Sequence, residues 1–235
     1  MITLVQFPSY FGIANPSPFC MKVEILLKMA GLDYAIEVQS DPSKGPKGKL
    51  PCIRDGVTIV GDSALIQTYL ESRYDVDFNA GLSAAERAIS HAFMRMCEER
   101  LYWCMVYSRW IDGTNWPVLR QQFFGALPPI VRSVIPMIAQ RQLRRNLQGQ
   151  GLGRHTAQEV CAFGEADIDA LAVQLGSKAF MMGDAPTSLD SIAYPQLANL
   201  LLPQLPSPMA AAVRARPTLP SYVERCTALW YGRVI

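Results

Sequence analysis

Ile2-Thr3-Leu4-Val5-Gln6-Phe7, then after a loop Ser17-Pro18-Phe19-Cys20-Met21-Lys22-Val23-Glu24-Ile25-Leu26-Leu27-Lys28-Met29-Ala30-Gly31, is the stretch that decides the fold. The first run is apolar, rich in strand formers and closed by Pro8, so it reads as a strand. The loop from Ser9 to Pro16 is rich in Gly, Pro and Asn. Ser17 is a favoured N-cap and Pro18 suits the first helical position. From Phe19 to Ala30 the pattern is helical, with Val23, Leu26, Leu27 and Ala30 along one side, and Gly31 closes it. Tyr34 to Val38 alternates as a second strand.

Outward from there, a lysine-rich loop (Ser40 to Lys49) leads to Leu50-Pro51-Cys52-Ile53. Cys52 to Arg54 and Val57 to Val60 read as strands joined by the Asp55-Gly56 hairpin signal. Asp62-Ser63 opens a helix that runs to about Tyr74. A strand–helix–strand opening followed by a hairpin and a helix predicts a small mixed sheet with helices packed on it. Asp75 to Gly81 is polar and turn-like, and the domain boundary is placed there. Beyond Ser83 only helical periodicity is found. A long helix is predicted over Ala84 to Ile111, with others over Trp116 to Phe124, Pro129 to Leu147, Thr156 to Leu175, Pro208 to Ala215 and Leu219 to Tyr231. Thr156 and Glu159 have capping-box spacing, and Thr187 and Asp190 repeat it. The predicted fold is α/β plus all-α, with domains over 1–75 and 82–235.

The 235 residues suffice for two domains, and half of them are hydrophobic. A net charge of +2 gives little electrostatic bias. Arg141, Arg144 and Arg145 form the notable basic cluster and read as a solvated helix face, so no nucleic-acid partner is expected. Six scattered cysteines without a C-x-x-C pair, and two separated histidines, predict neither a disulfide framework nor a metal site. Residues 1–7 do not read as a signal peptide. The apolar stretch from Ile192 to Leu205, broken by Pro195 and Pro203, is too short to span a bilayer. The expected compartment is the cytoplasm.

Three places could carry chemistry. Ser17 heads a helix whose free N–H groups and positive dipole end favour an anion. Its hydroxyl could donate to the sulfur of a bound thiol and lower that thiol's pKa, or it could serve only as the N-cap. Cys20, one turn in, is either a second thiol or a small core residue, inert if buried. Leu50 before Pro51 would, if the peptide bond were cis, present its backbone N–H and C=O to an extended peptide ligand. Asp62 and Ser63 could hold the carboxylate and ammonium of one ligand, or simply cap their helix.

The order Ser17-Pro18-Phe19-Cys20, Leu50-Pro51, Asp62-Ser63 in this layout resembles the glutathione-binding, thioredoxin-like domain of glutathione S-transferases. Pro186-Thr187-Ser188-Leu189-Asp190 resembles the capping box of the buried helix in that family's C-terminal domain. Ser17 to Met29 together with Asp41 to Pro51, Gly151 to His155 and Phe180 to Asp190 resembles the branch holding failed-axon-connections proteins and metaxins. The resemblance implies that Leu50, ahead of a cis Pro51, pairs with the cysteinyl unit of glutathione, and that Ser63 with Asp62 holds the γ-glutamyl end. The family often has Glu or Gln where this chain has Asp62. Ser17 takes the catalytic position, with Cys20 and Tyr10 as further possibilities. A small hydrophobic electrophile would bind near Trp103, Tyr107 and Trp110. The implied activity is transfer of the glutathione thiol, in a homodimer. The alternatives are a non-catalytic, metaxin-like binding protein and a thiol reductase using Cys20. Metaxin-type membrane work would favour a hydrophobic C-terminal anchor, and the run Trp230 to Ile235 does not read as one.

Overall fold

The computed structural model describes residues 1–203 and 205–232. Gln204, inside the apolar stretch noted above, and Arg233 to Ile235 of the terminal run lie outside them. The first half contains β1 (Ile2–Gln6), α1 (Pro18–Met29), β2 (Tyr34–Val38), β3 (Cys52–Asp55), β4 (Thr58–Gly61) and α2 (Ser63–Tyr74). The four strands form one sheet in the order β2-β1-β3-β4. β1 runs parallel to β2 with Leu4 opposite Ile36, and antiparallel to β3 with Leu4 opposite Ile53. The hairpin between β3 and β4 turns through Gly56 at φ 59°, a left-handed conformation that glycine adopts without a Cβ penalty. Leu4 and Ile53 point to one face and pack with Val23, Leu26 and Leu27 of α1 and Ile66 and Leu70 of α2.

The second half is helical among the described residues: α3 (Ala84–Met96), α4 (Tyr102–Trp110), α5 (Trp116–Phe124), α6 (Pro129–Gln150), α7 (Ala157–Leu175), α8 (Asp190–Leu201), α9 (Pro208–Arg214) and α10 (Thr218–Tyr231). Capping boxes start α3 (Ser83 with Glu86) and α7 (Thr156 with Glu159). The long helix expected over Ala84 to Ile111 is interrupted by a π turn, Cys97–Leu101. The turn has a structural use: the Cys97 carbonyl accepts a 3.0 Å hydrogen bond from the buried Gln196 side chain. Asp190 does more than cap. One carboxylate oxygen accepts from the Thr187 N–H (2.8 Å) and hydroxyl (3.1 Å), the other from the Met181 N–H (2.8 Å) and the Tyr222 hydroxyl (2.9 Å). Burial raises its pKa, and these four donors oppose that shift.

The two halves meet along α1. Val23, Leu26 and Leu27 face the sheet core, while Met21 and Ile25 join the helical core with Leu101, Ile168, Ile192 and Leu197. Lys22, which the sequence presents as polar, lies fully buried at this joint. Its Nζ donates to Glu98 of the π turn at 2.8 Å, and Arg95 takes the other Glu98 oxygen. Removing one charge of such a pair strands the other in the interior. Glu98→Gln should therefore cost about 3–5 kcal/mol of unfolding free energy. The double variant Lys22→Met/Glu98→Leu should recover most of that loss, as urea denaturation of the four proteins of the cycle will show.

Candidate functional site

Sheet register brings the three marked segments to one rim. Val5 of β1 stands opposite Cys52, and Cys52 stands opposite Gly61. The end of β1, which feeds the loop to α1, is therefore in line with Leu50-Pro51 just before β3 and with Asp62-Ser63 just after β4. A small cluster of Val5, Cys20, Leu50 and Cys52, with Phe7 against it, ties the first turn of α1 to this row.

Ser17 is half-buried in extended backbone (φ −100°, ψ 115°), and its Oγ accepts a long 3.4 Å bond from the Cys20 N–H. As an acceptor there, the hydroxyl keeps its own proton available. Its position is fixed from behind. The Ser17 N–H donates to Asn15 Oδ1 (3.0 Å), and the fully buried Asn15 amide donates to the Phe7 carbonyl (2.6 Å). Asn199 on α8 donates to the Asn15 carbonyl (3.2 Å). Arg109 on α4 donates to the Pro16 carbonyl (3.1 Å) and to Asn199. Arg109 is buried with no carboxylate partner among the described residues. Burial lowers its pKa to about 10, so it remains a cation at neutral pH, one residue behind Ser17.

The Leu50–Pro51 peptide is cis. Among the described residues no backbone group bonds to the Leu50 N–H or C=O. Asp62 sits at φ 84°, a sparsely populated conformation for a side-chain-bearing residue, and its Oδ1 accepts from the Ala64 (2.9 Å) and Leu65 (3.3 Å) N–H groups. It thus caps α2, while Ser63 beside it is buried.

Cys20 is fully buried, and burial pushes its thiol up to about 12 against the lowering contacts from Phe7 and Ser17. As placed, it offers neither access nor thiolate. Tyr10 and Phe11 pack edge-on against Phe123 of α5 at 4.7 and 5.5 Å, and Trp110 stacks on Phe123 at 5.8 Å and lies 5.6 Å from Trp116. Of the three aromatics expected beside an electrophile, Trp110 joins this cluster, whereas Trp103 packs on Tyr102 at 5.3 Å and Tyr107 lies against the helical core. Phe123, Arg109, Asn15 and Asn199 were not marked by sequence; a loop asparagine and a helical arginine carry no local signal of burial. Among the described residues no group of His, Cys, Asp and Glu is placed to hold a metal ion.

The family model of the glutathione S-transferase N-terminal domain matches residues 18–115, and that of the C-terminal domain matches 164–226. The chain is 34% identical to the isoprene-epoxide–glutathione S-transferase of Rhodococcus sp. (strain AD45), over 96% of this chain and 97% of the other. It is 32% identical to Failed axon connections of Drosophila melanogaster over 85% of its length and 50% of that protein, and 31% identical to mouse Metaxin-1 over 95% and 73%. The fold matches that of the beta-etherase LigF of Sphingobium at TM-score 0.68 and 19% identity, over 97% and 95% of the chains. A thioredoxin-like domain joined to a helical one is the architecture of this class. The chain belongs to the glutathione S-transferase family, with relatives in its failed-axon-connections and metaxin branch. The expected cytoplasmic placement is corrected by these findings: the Metaxin-1 relatives are proteins of the mitochondrial outer membrane, so kinship does not assign this chain to the cytoplasm. No helix among the described residues is long and apolar enough to cross a membrane.

Burial predicts thiol reactivity. Desolvation raises the pKa of all six thiols, but Cys161 is partly exposed, while Cys20, Cys52, Cys97, Cys104 and Cys226 are buried. Under native, mildly alkaline conditions an alkylating reagent should label Cys161, with the others labelled only after unfolding, as peptide mapping by mass spectrometry will report.

Proposed function

We propose that the chain binds glutathione along the rim and transfers its thiol to a small hydrophobic electrophile. The observation that carries this reading is the row Val5–Cys52–Gly61, which sets an amide-rich helix mouth, an unpaired backbone edge and a second helix start side by side. In this reading Leu50 pairs through its N–H and C=O with the cysteinyl unit, next to Pro51. Ser63 holds the γ-glutamyl carboxylate with its N–H and hydroxyl, and the second oxygen of Asp62 accepts from the ammonium group. Lys44, Lys47 and Lys49, exposed on the neighbouring loop, favour a ligand with a further carboxylate. The Ser17 hydroxyl donates to the sulfur, and the α1 dipole and Arg109 favour its thiolate form. Domain limits of 1–75 and 82–235 and a homodimer belong to the same proposal.

The kinship with an isoprene-epoxide transferase makes a small epoxide the first electrophile to test. The thiolate attacks a ring carbon, a C–S bond forms as the C–O bond breaks, and the alkoxide takes a proton from water. Ser17→Ala should lower kcat/KM for this conjugation about 100-fold, the scale for losing one positioned donor. It should leave glutathione affinity nearly unchanged. Because the thiol loses a partner that favours its anion, the pH midpoint of the rate should move upward by about one unit. The lost cap costs about 1 kcal/mol, which the fold tolerates. Calorimetric titration without glutathione binding at millimolar ligand would sink the reading. Binding without turnover on an epoxide and a broad electrophile panel would instead support the second reading, a binding protein, which the likeness to Failed axon connections and Metaxin-1 favours.

A further inference from the structure

The segment between Asp112 and Glu159 contains six arginines (Arg120, Arg132, Arg141, Arg144, Arg145, Arg154) and no Asp, Glu or Lys. It carries +6 in a chain of net +2, so the remainder is acidic by four. Its main element, α6, buries only Pro136 and Leu147. The first half of this helix is both apolar and exposed: Ile130 is 81% accessible, Met137 62% and Ile138 58%, and Val131, Val134 and Ile135 are exposed as well. Six large apolar side chains on one outward surface form a patch that soluble proteins normally cover.

Helical spacing sorts this surface along the axis. Ile130, Val134, Ile138, Arg141 and Arg145 follow one another at steps of three and four residues, so they lie on one stripe. The stripe is apolar towards the helix start and basic further on. The helix is tied down at its middle, where Gln140 donates to the Trp110 carbonyl at 2.7 Å, and at its tip, where Arg132 donates to the Gly125 carbonyl at 3.3 Å. The result is an arm with a greasy tip and an arginine collar.

We infer that this arm docks on the surface of an anionic phospholipid membrane, the tip entering the acyl boundary and the collar meeting headgroup phosphates. Charge complementarity selects this occupant. Apolar side chains at the boundary and guanidinium groups at phosphate level is the arrangement by which interfacial helices bind. A second copy meeting the same surface would offer the collar no acid: in parallel alignment the collars face each other, and in antiparallel alignment each faces the partner's acid-free segment. The inference is independent of the glutathione reading.

Vesicle co-sedimentation of the full chain tests it. Vesicles of phosphatidylserine and phosphatidylcholine should retain the protein, pure phosphatidylcholine vesicles should hold it far more weakly, and added salt should release it. Arg141→Gln/Arg144→Gln/Arg145→Gln should lose roughly 100-fold in apparent affinity, since each basic residue near such a surface contributes several-fold. Ile130→Ser/Ile138→Ser, at exposed positions with little packing to lose, should also abolish retention with little change in melting temperature. The inference is overturned if anionic vesicles fail to retain the wild type at low salt, or if both variants bind as well as it does. A dimer in light scattering that Ile130→Ser/Ile138→Ser converts to monomer, without vesicle binding, would overturn it in favour of self-association.

Discussion

Everything else in the molecule depends on α1 being buried on all sides. A helix that serves two cores has no solvent face on which to place a polar residue, so Lys22 and Glu24 must find partners inside. Lys22 has Glu98, and Glu24 receives the Tyr34 hydroxyl at 3.0 Å and Lys28 at 3.1 Å. Ion pairs of this kind add little net stability over apolar residues of the same size, because desolvation consumes most of the Coulomb gain. What they fix is register. Only one rotation of α1 about its axis satisfies the sheet core, the helical core and Lys22 together, and that rotation aims its first turn at the rim.

The site is correspondingly a joint product of both halves. The residues proposed to hold glutathione all come from the first domain, yet the loop that delivers Ser17 is held by α4 and α8. Arg109 uses its donors on Pro16 and Asn199, and Asn199 uses its own on Asn15. A guanidinium buried without a counter-ion is expensive, and carbonyl partners relieve only part of that expense. Its charge also differs in reach from the helix dipole. The dipole acts within the terminal turn, whereas a desolvated full charge declines with the inverse of distance. An anion held at Ser17 would supply the counter-ion that Arg109 does not find among the described residues.

Much of this architecture is legible in the chain because it rests on local rules. The β1–α1–β2 order, the Asp55-Gly56 hairpin and the capping box at Thr156 each follow from a few adjacent residues, and the observed elements depart from the expected limits by at most about three residues. The three rim segments are also visible, because helix starts and an X-Pro step have sequence marks. What escaped reading depends on partners far along the chain. Nothing next to Lys22 in the sequence marks it as buried; that follows only from Glu98 being brought to it. The helix over Ala84 to Ile111 reads as continuous until Gln196 asks for the Cys97 carbonyl. Arg109 and Asn15 carry ordinary local context and acquire their roles through contacts some ninety and one hundred and eighty residues away.

The packed joint along α1 also governs how the molecule can move. Swinging one domain away from the other would hydrate Lys22 and Glu98 at little net cost, but it would strip Met21 and Ile25 from Leu101, Ile168 and Ile192, and that lost apolar burial opposes the motion. Hinge opening of the kind used by clamshell enzymes is therefore disfavoured in this protein. The ring cluster of Tyr10, Phe11, Phe123 and Trp110 adds to this restraint, because it ties the loop ahead of α1 to α4 and α5.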